Sequence, residues 1–259
     1  MYKKMFLSFA LLFCLSAVPF AANMPLIGDD APAFQAKTTQ GDINFPQDYK
    51  GKWVILFSHP ADFTPVCTTE FMTFQKMVPE FKDINTEVVG LSIDSIYAHI
   101  AWLRTIKEKI EYKDMKDLEI NFPLIEDIKM DIAKKYGMLQ PNASTTQAVR
   151  AVFIIDPNSK VRAILYYPLS NGRNFQEIKR LVIALQTADG FGVATPADWQ
   201  VGDDVIVPPP NSCGMAQERV VSKDENIKCY DWFLCFKSLP KESIENKLYE
   251  SQKTKTKKK

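Results

Sequence analysis

One cysteine, Cys67, follows two prolines and a threonine in the stretch His59-Pro60-Ala61-Asp62-Phe63-Thr64-Pro65-Val66-Cys67-Thr68-Thr69-Glu70. The stretch closes an apolar run, Trp53-Val54-Ile55-Leu56-Phe57, and opens what reads as a helix. A thiol is a good nucleophile only as a thiolate. The first turn of a helix offers free N–H groups and the positive end of a dipole to a negative charge. The placement, with the Thr64 hydroxyl beside it and the turn shaped by Pro60 and Pro65, predicts a reactive thiol. The alternative is a buried structural cysteine, a common fate of free Cys.

A thiolate needs a cation, and an oxygen-bearing substrate needs hydrogen-bond donors. Arg150 opens the apolar strand that runs from Ala151 to Ile155. An arginine there costs free energy unless its charge is paired or functional. Its guanidinium can hold both a thiolate and a leaving oxygen. Arg173, in Asn171-Gly172-Arg173-Asn174-Phe175, precedes the last helix of the domain, where a surface arginine is ordinary. Glu70 lies one helical turn after Cys67, placed either to organise these arginines or to sit solvated in the first turn. His59 is a candidate base or a packing residue that orders the turn with Pro60.

Other chemistries find less support. A Cys–His hydrolase needs a third group and an oxyanion hole, and neither is evident. The chain has two histidines, His59 and His99, and no Cys-x-x-Cys pair, so no metal site is expected. No glycine-rich phosphate loop calls for a nucleotide, and no cofactor is expected. A thioredoxin-type disulfide carrier would use Cys-x-x-Cys, whereas Thr68-Thr69-Glu70 follows Cys67. A chaperone-like or structural ring would leave the setting of Cys67 without a reason.

Alternating strand and helix signals surround these residues. Val54 to Phe57 reads as a buried strand, followed by a helix with Phe71, Phe74, Val78 and Phe81 on one face. A second strand covers Val88 to Asp94, and a second helix carries a stripe of Ile96, Ile100, Leu103 and Ile106. Phe122 to Ile125 is extended. Ile128, Ile132 and Tyr136 mark another helix, with Gly137 as its stop. A strand from Val152 turns at Asp156-Pro157-Asn158 and pairs back through Val161 to Tyr167. Phe175, Ile178, Leu181, Val182 and Leu185 close the domain. This alternation predicts an α/β fold with a mixed sheet. Asp189-Gly190-Phe191-Gly192 then breaks the pattern, and Pro208-Pro209-Pro210 is a stiff spacer. Beyond it, Cys229-Tyr230-Asp231-Trp232-Phe233-Leu234-Cys235 lies in an arm expected to pack on the domain or on a second subunit.

The 259 residues, 46% hydrophobic and 24% charged, suit a globular chain. A formal net charge of +1 gives no bulk field toward nucleic acid, and none is expected as a partner. Lys3 and Lys4 precede an apolar run over 5–18 that ends near Ala21-Ala22, the pattern of a signal peptide over 1–22. The run is short for a membrane span, and none is expected in the mature protein. Export is therefore expected, to the periplasm in a bacterium, with the cytoplasm as the alternative. Cys14 belongs to this leader. The expected divisions are a domain over 25–188, an arm over 189–248 and a disordered basic tail over 249–259. Cys67, Cys213, Cys229 and Cys235 are too few for a disulfide scaffold, so a redox role is the natural reading.

Together these residues resemble the peroxiredoxin family. Pro60, Thr64 and Cys67 match its Pro-x-x-x-Thr-x-x-Cys signature. The run from Phe57 to Glu70, with Gly172-Arg173-Asn174-Phe175 and Ala194-Thr195-Pro196-Ala197-Asp198-Trp199, is similar to its one-cysteine subfamily and archaeal two-cysteine relatives. The resemblance covers about residues 25–240. It implies a thioredoxin-like fold with a C-terminal dimerisation arm, and reduction of hydrogen peroxide and organic hydroperoxides without metal or haem. It makes Cys67 the peroxidatic cysteine, oxidised to a sulfenic acid. Thr64 and Arg150 would orient peroxide and thiolate, Pro60 would shield the site, and Glu70, Arg173 and His59 would support it. The spacing of Cys229 and Cys235 matches the archaeal type. The resemblance therefore implies Cys235 as a resolving cysteine that forms an intersubunit disulfide with Cys67, with Cys229 a possible second disulfide cysteine. Alternatively, Cys229 and Cys235 are a structural pair and an external thiol recycles Cys67. Implied partners are a thiol reductant such as a thioredoxin-like protein, and other copies of the chain in a homodimer and homodecamer. Some animal relatives are also phospholipases through a serine-containing stretch. Here Gly51-Lys52-Trp53-Val54 stands in that place, and that activity is not implied.

Overall fold

A computed structural model of the chain describes residues 24–221 and 224–256. The expected leader, with Cys14, lies outside the described residues. Ten strands and six helices follow in the order β1 (Phe34–Thr38), β2 (Gly41–Phe45), β3 (Trp53–Ser58), α1 (Pro65–Asp83), β4 (Thr86–Ser92), α2 (Ile96–Lys109), β5 (Leu124–Glu126), α3 (Asp131–Lys135), β6 (Arg150–Ile155), β7 (Val161–Tyr167), α4 (Phe175–Phe191), β8 (Val205–Val207), α5 (Cys213–Val221), β9 (Ile227–Asp231), β10 (Leu234–Lys237) and α6 (Lys241–Thr256).

Seven strands form one mixed sheet in the order β2-β1-β5-β4-β3-β6-β7. β3, β4 and β5 run parallel, while β6 pairs antiparallel with both β3 and β7. All six residues of β3 are buried, because both faces of the sheet are covered. Its pleat divides them. Trp53, Ile55 and Phe57 face a core shared with α1, α2 and α4, and Val54 and Leu56 face a second core beneath α3. The architecture is the α/β fold with a mixed sheet that the alternation predicts, and the thioredoxin-like fold that the resemblance implies.

Three elements differ in detail from their sequence reading. The buried face of α2 is His99, Trp102 and Ile106, while Ile100 is exposed. The α3 helix is only five residues long. Met130 takes a left-handed φ of 59°, so the helix cannot begin at Ile128, and the Asp127 carboxylate accepts from the N–H groups of Ile132 and Ala133 instead. The last domain helix, α4, runs on through Phe191 and stops at Gly192, whose φ is +61°. In the arm, β8, β10 and β9 form a separate sheet, and α6 extends to Thr256, into the segment expected to be a tail. Val205, Leu239, Ile244 and Leu248 join the main core, so the base of the arm packs on the domain.

The register of β3 and β6 builds the site. Phe57 lies opposite Val152, a register that brings Ala151 to Ser58, the last residue of β3, and sets Arg150, the first residue of β6, just past the end of that strand. Ser58 locks the two ends together: its hydroxyl donates to the Val149 carbonyl at 2.6 Å and accepts from the Ala151 N–H at 3.1 Å. The chain leaves β3 there, turns through a left-handed Phe63 and enters α1.

Candidate active site

Thr64 is the N-cap residue of α1 and Pro65 its first helical residue, a position where a missing N–H costs nothing. Cys67 therefore lies in the first turn, where N–H groups lack helical acceptors. It is fully buried and unbonded to any other cysteine. Arg150 Nη1 donates to Cys67 Sγ at 3.2 Å and to Glu70 Oε2 at 2.7 Å. Arg150 Nε and Nη2 donate to the Leu169 carbonyl at 3.0 and 2.8 Å, fixing the plane of the guanidinium.

Glu70 is the hub. Its carboxylate also accepts from Arg173 Nε at 2.9 Å, Nη2 at 2.7 Å and the Arg173 backbone N–H at 2.8 Å. Arg173 Nη1 donates to the carbonyls of Ser58 and Ala151, and its guanidinium lies over the Phe57 ring. Burial pushes the Glu70 carboxyl upward, but the charge and hydrogen bonds of Arg173, with the charge of Arg150, outweigh it and hold the group below its ordinary value. Two arginines and one glutamate sum to one positive charge in a buried space. The Cys67 sulfur lies against it, 3.2 Å from Arg150 Nη1.

A second cluster adjoins the first turn. His59 Nε2 is 2.9 Å from Asp62 Oδ1, and His99 Nδ1 is 2.7 Å from Asp62 Oδ2. The other nitrogen of His99 faces the Ile125 carbonyl at 3.1 Å. The His59 ring packs on Phe71 and Trp102, and Trp102 Nε1 donates to Thr68 Oγ1. Burial pushes the His59 pKa below its ordinary value, despite the opposing effect of Asp62. Burial would raise the Asp62 pKa, but its bonds to both histidines prevail and lower it. His59 Nδ1 is buried without a hydrogen-bond partner among the described residues. His59, Asp62 and Asp94 could each turn a ligand atom toward a metal, within 4.8 Å of one another. Those carboxylates are already committed to hydrogen bonds, Asp94 with Ser92 and the Asp62 N–H.

The structure thus gathers Cys67, Glu70, Arg150 and Arg173, with buried Pro60 and His59 close by in the chain. Thr64 sits at the head of the same helix, its hydroxyl donating to the Ala61 carbonyl at 2.9 Å, which leaves the oxygen's lone pairs free to accept. The arm cysteines lie elsewhere: Cys229 and Cys235 are bonded to each other, and Cys213 is exposed and free. Sequence reasoning gave Asp62 and His99 no part in the site. The available signal was a histidine at a helical position whose neighbours at i+3 and i+7 are Trp102 and Ile106, a face too apolar for an unpartnered imidazole.

A thiol held against an arginine, in the first turn of the helix that follows β3 in a thioredoxin-like fold, defines a thiol-dependent peroxidase. The chain belongs to the peroxiredoxin family. Residues 27–164 match the AhpC/TSA family, and residues 184–223 match the C-terminal domain of 1-Cys peroxiredoxin. A peroxiredoxin of Methanosarcina mazei is 70% identical over 214 residues, which span 83% of this chain and 98% of that one. One of Archaeoglobus fulgidus is 50% identical over 220 residues, 83% of this chain and 99% of the other. Among solved structures, a yeast mitochondrial 1-Cys peroxiredoxin is 39% identical, with a TM-score of 0.72 over 83% of this chain and all of that one. A cysteine-to-serine mutant of the peroxiredoxin 6 of Arenicola marina is 32% identical, with the same TM-score over 83% of this chain and 99% of its own.

Proposed function

We propose that the Cys67 thiolate attacks one oxygen of a hydroperoxide. The S–O bond forms as the O–O bond breaks, sulfur loses two electrons, and the departing oxygen leaves as water or alcohol after taking a proton. The product is a Cys67 sulfenic acid. One observation carries this reading: a single nitrogen, Arg150 Nη1, donates to both Cys67 Sγ and Glu70. The arginine is thereby aimed at sulfur while its remaining Nη2 hydrogen, unused among the described residues, is available for peroxide oxygen. Thr64 Oγ1 supplies an acceptor for the peroxide proton, and Pro60 excludes water. Stopped-flow peroxide consumption tests the assignment. Cys67→Ser should abolish the fast phase, and a variant as fast as wild type would overturn it.

Resolution by Cys235 of another subunit, through a Cys67–Cys235 disulfide, is the reading supported by the spacing of the arm cysteines. The competing one, recycling of Cys67 by an external thiol, is favoured by the bond that already ties Cys235 to Cys229. The assembly proposed is a dimer that builds a decamer, of chains exported after removal of residues 1–22; an exported enzyme could not use a cytosolic thioredoxin directly. Native mass spectrometry of protein taken from its host should give ten copies, each lacking Met1. Intact chains would remove the export claim, and a lone dimer would remove the decamer. Among the described residues no helix is long and apolar enough to cross a membrane.

A further inference from the structure

The two arm cysteines occupy unlike places. Cys229 lies on the edge strand β9 and is exposed, while Cys235 lies on the central strand β10 and is fully buried. The strands pair antiparallel with Cys235 directly opposite Cys229, and a disulfide joins them across the ladder. The hairpin between them carries three exposed aromatic side chains, Tyr230, Trp232 and Phe233, at 68%, 41% and 52% exposure.

From this arrangement we infer that Cys229 is a third redox-active cysteine, the one through which the enzyme exchanges electrons with its external reductant. The inference rests on the proposed reaction of Cys67 and on Cys235 as its resolving partner. A Cys235 held by Cys229 has no thiol to offer Cys67, so the two bonds must form in succession. The Cys235 thiol first attacks the Cys67 sulfenic acid, which makes the Cys67–Cys235 disulfide and releases water. The Cys229 thiolate, opposite on the neighbouring strand, then attacks the Cys235 sulfur. The Cys229–Cys235 bond forms, the Cys67–Cys235 bond breaks, and Cys67 leaves as a thiolate into the positive pocket of Arg150. Thiol–disulfide exchange is favoured by a stabilised leaving thiolate and by proximity. A dithiol reductant next attacks the exposed Cys229 sulfur, the accessible end of the bond, and Cys235 departs as a thiolate that takes a proton. The second thiol of the reductant breaks the mixed disulfide, which restores Cys229 and leaves the reductant oxidised by two electrons.

Fully reduced protein, given one molar equivalent of hydrogen peroxide, quenched with an alkylating agent and mapped by mass spectrometry without reduction, tests the order. Wild type should end with Cys229 joined to Cys235 and Cys67 recovered as an alkylated thiol. Cys229→Ser should stop at a Cys67–Cys235 crosslink between chains, with turnover on a dithiol such as dithiothreitol lowered about tenfold. Cys235→Ser should stop at the Cys67 sulfenic acid. Wild type that retains the Cys67–Cys235 crosslink with Cys229 free, or a Cys229→Ser protein with unchanged products and turnover, would overturn the relay. So would oxidation of Cys67 with both arm cysteines still reduced, which leaves the peroxidase reading intact. A Cys67 that never reacts would sink that reading as well.

Discussion

Cys67, Arg150, Arg173 and Glu70 are buried charges or potential charges, and each is affordable only because of the others. Removing one member of a buried ion pair leaves an uncompensated charge, at a cost of about 3–5 kcal/mol. Glu70 stands between two arginines, so its loss exposes both at once. Glu70→Gln keeps the shape and removes the charge. Its amide can still accept through oxygen but turns two N–H donors toward guanidinium groups that are also donors. Urea unfolding of this variant should show a loss of about 3 kcal/mol relative to wild type. Peroxide consumption should slow as well, because Arg150 loses the acceptor that holds Nη1 toward the sulfur. A variant with wild-type stability would show that the arginines do not need this carboxylate. Arg173 illustrates why side-chain chemistry was only partly legible. Ahead of a helix, after Asn171-Gly172, it has the look of a surface arginine. Its partner lies 103 residues away, and both its backbone N–H and its guanidinium reach that carboxylate. No local pattern encodes such a contact, whereas Arg150 was legible because a charge at the head of an all-apolar strand is itself anomalous.

At the level of elements, the sequence is most transparent where burial is two-sided. The β3 strand reads as an unbroken apolar run because helices cover both faces of the sheet. The α1 helix is announced by a proline at its first position and a phenylalanine stripe, and it forms with Phe71, Phe74, Val78 and Phe81 buried. The α2 helix shows where this reasoning falters. Its aliphatic residues suggest one face, but the core takes His99 and Trp102, one polar and one large, and leaves Ile100 at 54% exposure. The imidazole is tolerated inside because Asp62 and the Ile125 carbonyl satisfy it. Periodicity weighs hydrophobicity alone and cannot see such a partner. The α3 helix was shortened for a similar reason: the Asp127 side chain caps it from outside the helical pattern. The arm was legible as a separate unit from its prolines and its change of composition. Its three-stranded sheet was not, since β8 and β10 are distant in sequence and short.

Across the molecule, burial and ion pairing together set how the fold responds to acid. His59 has its pKa lowered from 6.5 by burial, so below that value the unfolded chain takes up a proton that the folded one resists. Stability is therefore lost as the pH falls from 6.5 toward the folded value. Asp62 and Glu70, also lowered, add their loss below about 4, beginning near their ordinary values of 3.8 and 4.5. Asp127, raised by burial, works in the opposite direction and softens the fall. Denaturant titrations at a series of pH values should show unfolding free energy declining from about pH 6.5 and more steeply below 4.5. A curve flat down to pH 4.5 would mean that His59 is solvated in the folded state.

The positive charge left over by Glu70, Arg150 and Arg173 has a consequence for timing. A thiolate cancels it, but a sulfenic acid is neutral. In the reaction proposed above, oxidation of Cys67 would therefore strip the pocket of its counterion in the same step that stores the oxidising equivalent. An unpaired charge sealed from water is costly, and the cost falls on the first turn of α1, which seals it. On that proposal the oxidised enzyme would be less content to remain closed than the reduced one. The turn that hides Cys67 from solvent before the proposed reaction would become, after it, the part of the molecule with most reason to loosen and let an incoming thiol reach the sulfur.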